Sequence, residues 1–177
     1  MAYLKRLFAA TALAGMASAA GAQTSALRID ACVPAPAAEA LMLTVAPEAI
    51  RKVGEICAPV LAPGAILRRA PNAMIGRYAA ESDAAWPAAR GALGSLAGEA
   101  RQLLDSELAR PLLTTLVSEL LVKEVKPRDC GSIDRILGLI EPLPPRNAAA
   151  LVVTLIQLTQ KPERRSAFTI CPDPRRR

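Results

Sequence analysis

An all-α fold, a small bundle of about five to seven helices stapled by two disulfides, is what this sequence predicts, and three observations carry the prediction. Leu, Ile, Val and Ala recur at three- and four-residue intervals through most of the chain. No segment alternates convincingly, so a sheet would find no second strand to pair with. Four well-separated cysteines, Cys32, Cys57, Cys130 and Cys171, follow an N-terminal stretch that has the order of a secretory signal.

That stretch sets the compartment. Lys5 and Arg6 precede Leu7 to Ala22, 16 residues without charge and rich in Ala and Leu, which end in Ala20-Gly21-Ala22. Small residues around the bond suit a shallow peptidase pocket, so residues 1–22 read as a cleaved signal peptide, with the bond after Ala19 as the second choice. The apolar run is shorter than the roughly 20 residues a spanning helix needs, so no transmembrane segment is expected in the mature chain. Arg28 and Asp30 separate the run from Cys32, which argues against lipid attachment there. The expected location is periplasmic or secreted.

The 155 residues left suffice for one core, read as a single helical domain over 23–160 followed by a basic, Pro-rich tail over 161–177. Loss of Lys5 and Arg6 takes the formal charge from +6 to +4, a mild excess. Tyr3 and Phe8 leave with the signal, so Tyr78, Trp86 and Phe168 are the remaining aromatics, too few to stack bases or sugars. No nucleic-acid partner is expected.

The elements follow in order. Pro34 and Pro36 lead into a helix over about Ala37 to Val45. Pro47 then opens a second helix, whose Ile50, Val53, Cys57 and Val60 form one stripe. Pro59, Pro63 and Gly64 end this pair. From a cap at Asn72, one face carries Ile75, Ala79, Ser82 and Trp86; beyond Pro87 it resumes as Leu93, Leu96, Ala97, Ala100, Leu103 and Leu104, in two helices or one kinked at the proline. Ser106 to Val125 places Leu108, Leu112, Leu113, Leu116, Val117, Leu120 and Leu121 on a wide stripe, bent at Pro111. Ile133, Ile136, Leu137 and Ile140 mark a short helix. Ala148 to Leu158 has β-branched residues that also suit a strand, but its length and its lack of a partner favour a central helix, with Asn147 as its cap. Leu116, Leu120, Leu137 and Leu155 are expected in the core.

Two disulfides are the expected state of the cysteines in an oxidising compartment. No CxxC pair is present for redox exchange, and the wide spacing does not suit a structural zinc site. Three pairings are possible. Cys32 with Cys57 would staple an antiparallel pair of short helices, and Cys130 with Cys171 would pin the tail; these are the expected bridges, worth roughly 3.5 and roughly 4 kcal/mol as upper bounds on loop closure.

The chain contains no histidine. Ser-His-Asp, Cys-His and HExxH chemistry are therefore excluded, and no S-x-x-K supplies a serine-lysine route. Gly91, Gly94 and Gly98 lie inside a helical pattern, where they read as aids to close packing rather than a phosphate cradle. The nearest paired carboxylates, Glu81 with Asp83 and Asp105 with Glu107, would be the acid and base of a glycosidase, but residues two apart on a helix diverge. No catalytic, cofactor or metal residue is assigned. The tail holds Lys161, Arg164, Arg165, Arg175, Arg176 and Arg177 against Glu163 and Asp173, a means of touching an envelope protein or an anionic envelope surface.

The AxA signal, the four scattered cysteines and the stretches AWPAA, LARPLL and CGSIDRILGLIEPLPPRN together resemble small secreted four-cysteine helical proteins of Gram-negative bacteria. The resemblance implies export and a helical fold and brings no activity with it. The expected function is that of a non-catalytic envelope structural or accessory interaction protein. A carrier of an apolar small ligand between helices is the alternative, and a carbohydrate-active enzyme the third reading.

Overall fold

A computed structural model describes residues 32–69, 71–160 and 169–172. The proposed signal segment and the charged residues of the tail lie outside them. Six α-helices are described: α1 Ala35–Cys57, α2 Ile66–Arg69, α3 Pro71–Leu96, α4 Ala109–Val122, α5 Cys130–Ile140 and α6 Pro145–Thr159. Three 3₁₀ segments, Ala58–Val60, Gly98–Asp105 and Pro127–Asp129, join them. Among the described residues the sole β pairing is one parallel bridge, Val33 to Ile170. The all-α, two-disulfide bundle is the observed architecture.

α1 is the axis of the bundle, packed most extensively on α3 and then on α4 and α6. It is one helix of 23 residues with Pro47 inside it, not two helices divided there. An interior proline forfeits one backbone bond at a cost of about 3 kcal/mol. Here Ala40 and Leu43 before it and Ile50 and Cys57 after it enter the same core cluster, so burial along the whole helix offsets that loss. α3 is likewise continuous through Pro87. It runs antiparallel to α1, with Ser82 Oγ donating to Thr44 O at mid-length (3.0 Å). Its inward row is Met74, Tyr78, Ser82, Ala85 and Ala89, one position away from most of the predicted stripe. The small Ser82, Ala85 and Ala89 line the second half of that inner side, where the two helices can approach closely; Trp86 is only partly buried. Burial pushes the Tyr78 phenol above its ordinary pKa.

The predicted caps are replaced by prolines and distant side chains. α3 begins at Pro71, so Asn72 lies within it. α6 follows Pro144, which places Asn147 in its first turn. α2 is capped from across the chain, because Asp134 Oδ1 on α5 accepts the Leu67 backbone N–H at 2.8 Å. On the outer side of α1, Arg51 binds Glu48 and Glu55. Its hydrogen bonds hold the Glu48 carboxyl below the usual range. That contribution is present above the ordinary glutamate pKa and is lost as the pH falls through the lowered value.

The continuity of α1 overturns the expected cysteine pairing. Cys32 and Cys57 lie at opposite ends of a helix about 34 Å long, whereas a disulfide needs Cα atoms within about 7 Å. The bridges observed are Cys32–Cys171 and Cys57–Cys130, with Cα separations of 4.8 and 5.4 Å. Cys57 and Cys130 are fully buried at one end of the core, where they fasten the end of α1 to the start of α5. At the other end, Val33, Ala38, Val153 and Ile170 form a second cluster. Val33 N donates to Thr169 O (2.8 Å), Cys171 N donates to Val33 O (2.9 Å), and Gln157 Nε2 donates to Cys171 O (2.7 Å). Residues 169–172, assigned from sequence to a solvated tail, are thus partly built into the domain.

α6 is a helix, as expected, but it is peripheral rather than central. Ala148, Ala149 and Val153 face α1, while Leu151, Leu155 and Leu158 are 43 to 50% exposed. Leu155 is therefore not a core residue. Leu137 packs partly buried against the main cluster.

Candidate interaction surface

α4 differs most from the sequence expectation, and the difference exposes a surface. Its predicted apolar stripe divides between two sides of the helix. Ala109, Ser118 and Val122 are buried, with Leu113 and Val117 partly so. Leu108, Leu112, Leu116 and Leu120 are 59 to 67% exposed. Spaced four residues apart, they form one continuous ridge along the outside of the helix.

Polar tethers fix which side turns inward. Arg110, in the first turn, donates one guanidinium nitrogen to Ser82 Oγ (2.8 Å) and pairs the other with Asp83 Oδ1 (2.7 Å), both on α3. Near the far end, Glu119 pairs with Lys52 of α1. With Arg110 directed at α3 and Glu119 reaching α1, the helix cannot roll its leucines inward without breaking both links. Pro111 does not bend it, because α4 starts at Ala109 and Pro111 falls in the first turn, where its missing N–H would have no helical acceptor. The inner side carries small and β-branched residues, which permit closer approach to α1 than a row of leucines would.

Ser118, on that inner side, is fully buried, and its Oγ has no hydrogen-bond partner among the described residues. Such a hydroxyl is a net cost of about 1–3 kcal/mol. Ser118→Ala is accordingly expected to raise the unfolding free energy by roughly 1 kcal/mol in a denaturant titration; a clear loss would show that the hydroxyl has a structural use.

The exposed ridge is bounded by charge. Asp105 and Glu107 precede it, and Lys123 and Lys126 follow it, all exposed apart from a long 3.5 Å pairing of Asp105 with Arg90. Glu124 and Arg128 also lie exposed at the second end. Further apolar side chains stand open on α5, at Ile136 and Leu139, and on α6.

Of the carboxylates paired in the sequence, Glu81 and Asp83 are struts between helices, whereas Asp105 and Glu107 are exposed beside the ridge. Glu81 accepts from Arg146 Nε of α6 (2.6 Å), whereas Asp83 turns to Arg110 of α4. The two therefore diverge to different neighbours. Among the described residues no group of three or more His, Cys, Asp or Glu gathers where a metal ion could be held. No described helix is long and apolar enough to cross a membrane.

An open cleft of about 590 Å³ lies between the start of α1 and the end of α3, lined mainly by apolar residues including Val33, Pro34, Ala37, Ala88 and Leu96. Gly91 forms part of its wall and meets no neighbouring atom where a Cβ would project. It is not the helix-packing glycine that its sequence context implies.

The tethers between α3, α4 and α6 could not be read from sequence, since they join residues 27 to 65 positions apart. The leucine ridge was legible as a periodicity, but not its outward direction. Fold and surface together define a disulfide-stapled all-α domain with an uncovered apolar helix face. No family model, curated protein or solved structure matches the chain.

Proposed function

We propose that this is an exported, non-catalytic helical protein of the bacterial envelope that acts by docking through the outer face of α4. The observation that carries the proposal is the Leu108, Leu112, Leu116 and Leu120 ridge, held outward by ion pairs on either side of it. Large apolar patches on soluble domains mark interaction sites. The paired cysteines suit an oxidising compartment, and the signal-like order of residues 1–22 supplies the route to it. The basic residues after Gln160 add attraction to an anionic envelope surface.

The test is a photo-crosslinking residue placed at Leu116 or, as a buried control, at Leu43, in cells of the native host, with N-terminal sequencing of the recovered product. The expected result is a discrete crosslink from position 116 alone, on a chain that starts at Gln23 or Ala20. Retention of Met1 would overturn export, and absence of any crosslink from position 116 would overturn docking. The apolar cleft beside Val33 favours a second reading, carriage of an apolar ligand. Native mass spectrometry of host-purified protein would reveal that as a co-purifying lipid.

A further inference from the structure

We infer that the α4 ridge is occupied by the same ridge of a second copy, in an antiparallel two-fold dimer. This rests on the docking reading above and names its partner. A two-fold contact requires a patch that complements itself. The ridge does so: with the axis midway between Leu112 and Leu116, Leu108 lies level with the partner's Leu120, and Leu112 with the partner's Leu116. Rows of residues four apart on both helices interdigitate in the commonest mode of helix packing.

Charge selects the antiparallel sense. In this register Glu107 of one copy falls level with the partner's Leu121, within side-chain reach of the partner's Lys123 two positions on, twice per dimer. A parallel pair would instead set Glu107 against Glu107 and Lys123 against Lys123. The area also suffices. Four leucines about two-thirds open bare on the order of 400 Å² on each copy. Together with the flanking Thr115, Glu119 and Lys123, two facing copies cover on the order of 1,200 Å², the lower end of specific interfaces. Glu119 takes part without losing Lys52, since that link runs inward to α1.

The experiment is sedimentation of the disulfide-intact chain over a range of concentrations. The comparison set is Leu112→Asp with Leu116→Asp, the milder Leu112→Ala with Leu116→Ala, and Glu107→Lys and Lys123→Glu, alone and combined. Circular dichroism and disulfide mapping check each fold. Wild type should move towards twice the monomer mass. The Asp pair should raise the dimer Kd by at least about 100-fold and the Ala pair by less. Each single charge reversal should weaken the dimer severalfold, and the double reversal should restore it.

A wild type that stays monomeric, a dimer indifferent to the leucine changes, or a double reversal no better than the singles would overturn the proposal. In that event, leucine-dependent binding to a purified envelope partner or to anionic phospholipid vesicles would leave the docking reading intact and assign the ridge to another occupant. Indifference of every such binding to Leu112 and Leu116 would overturn both.

Discussion

Alanine at both Cys57 and Cys130 is expected to lower the unfolding free energy by up to about 4.5 kcal/mol, the chain-entropy bound for a bridge of this span. The two cysteines are 73 positions apart, so the crosslink closes a large loop in the unfolded ensemble and restricts it. Both are wholly buried in the main cluster, and alanine avoids stranding the hydroxyl that serine would place there. The effect should be concentrated locally. α5 is held by this bridge, by the Asp134 cap on α2 and by partial burial of Ile133, Leu137 and Ile140, and little else secures it. Hydrogen exchange should therefore accelerate first in α5 and α2. An unchanged denaturation midpoint would mean that the bridge is not formed or that packing alone holds this end.

Leu43→Ala is expected to cost about 2–5 kcal/mol, whereas Leu116→Ala should stay within about 0.5 kcal/mol under conditions where the chain is monomeric. Leu43 is 6% exposed between α1 and its neighbours, and Leu116 is 63% exposed. Truncation at the first opens a cavity in a core dominated by small and aliphatic side chains; at the second it only trims a side chain already in water. Equal losses at the two positions, measured by denaturant titration, would place α4 in a different rotation about its axis.

The contrast between these leucines shows where sequence was sufficient. Helix was legible almost throughout, because a three-to-four-residue recurrence of apolar residues admits no sheet, and α5 and α6 occupy nearly the predicted stretches. The choice of buried face was legible only where one side is apolar. α4 and α6 are apolar on two sides, and their rotation is set by Arg110, Glu119 and Arg146, whose partners lie on distant helices. Local proline chemistry suggested a break at Pro47. Long-range burial on both sides of it prevailed, and the pairing of Cys32 with Cys57 failed for that reason alone. For the candidate surface, the four-residue leucine spacing was visible and its exposure was not, since exposure is a property of what else the helix must bury.

The two disulfides are nested: the bridge between Cys32 and Cys171 encloses the one between Cys57 and Cys130. A chain oxidised in the order in which its thiols emerge would join Cys32 to Cys57 first, then Cys130 to Cys171, and arrive at the wrong isomer. The native bridge at Cys32 must wait for a partner 139 residues later. A formed α1 helix holds Cys32 and Cys57 too far apart to join, so the shape of the folded chain itself disfavours the wrong isomer.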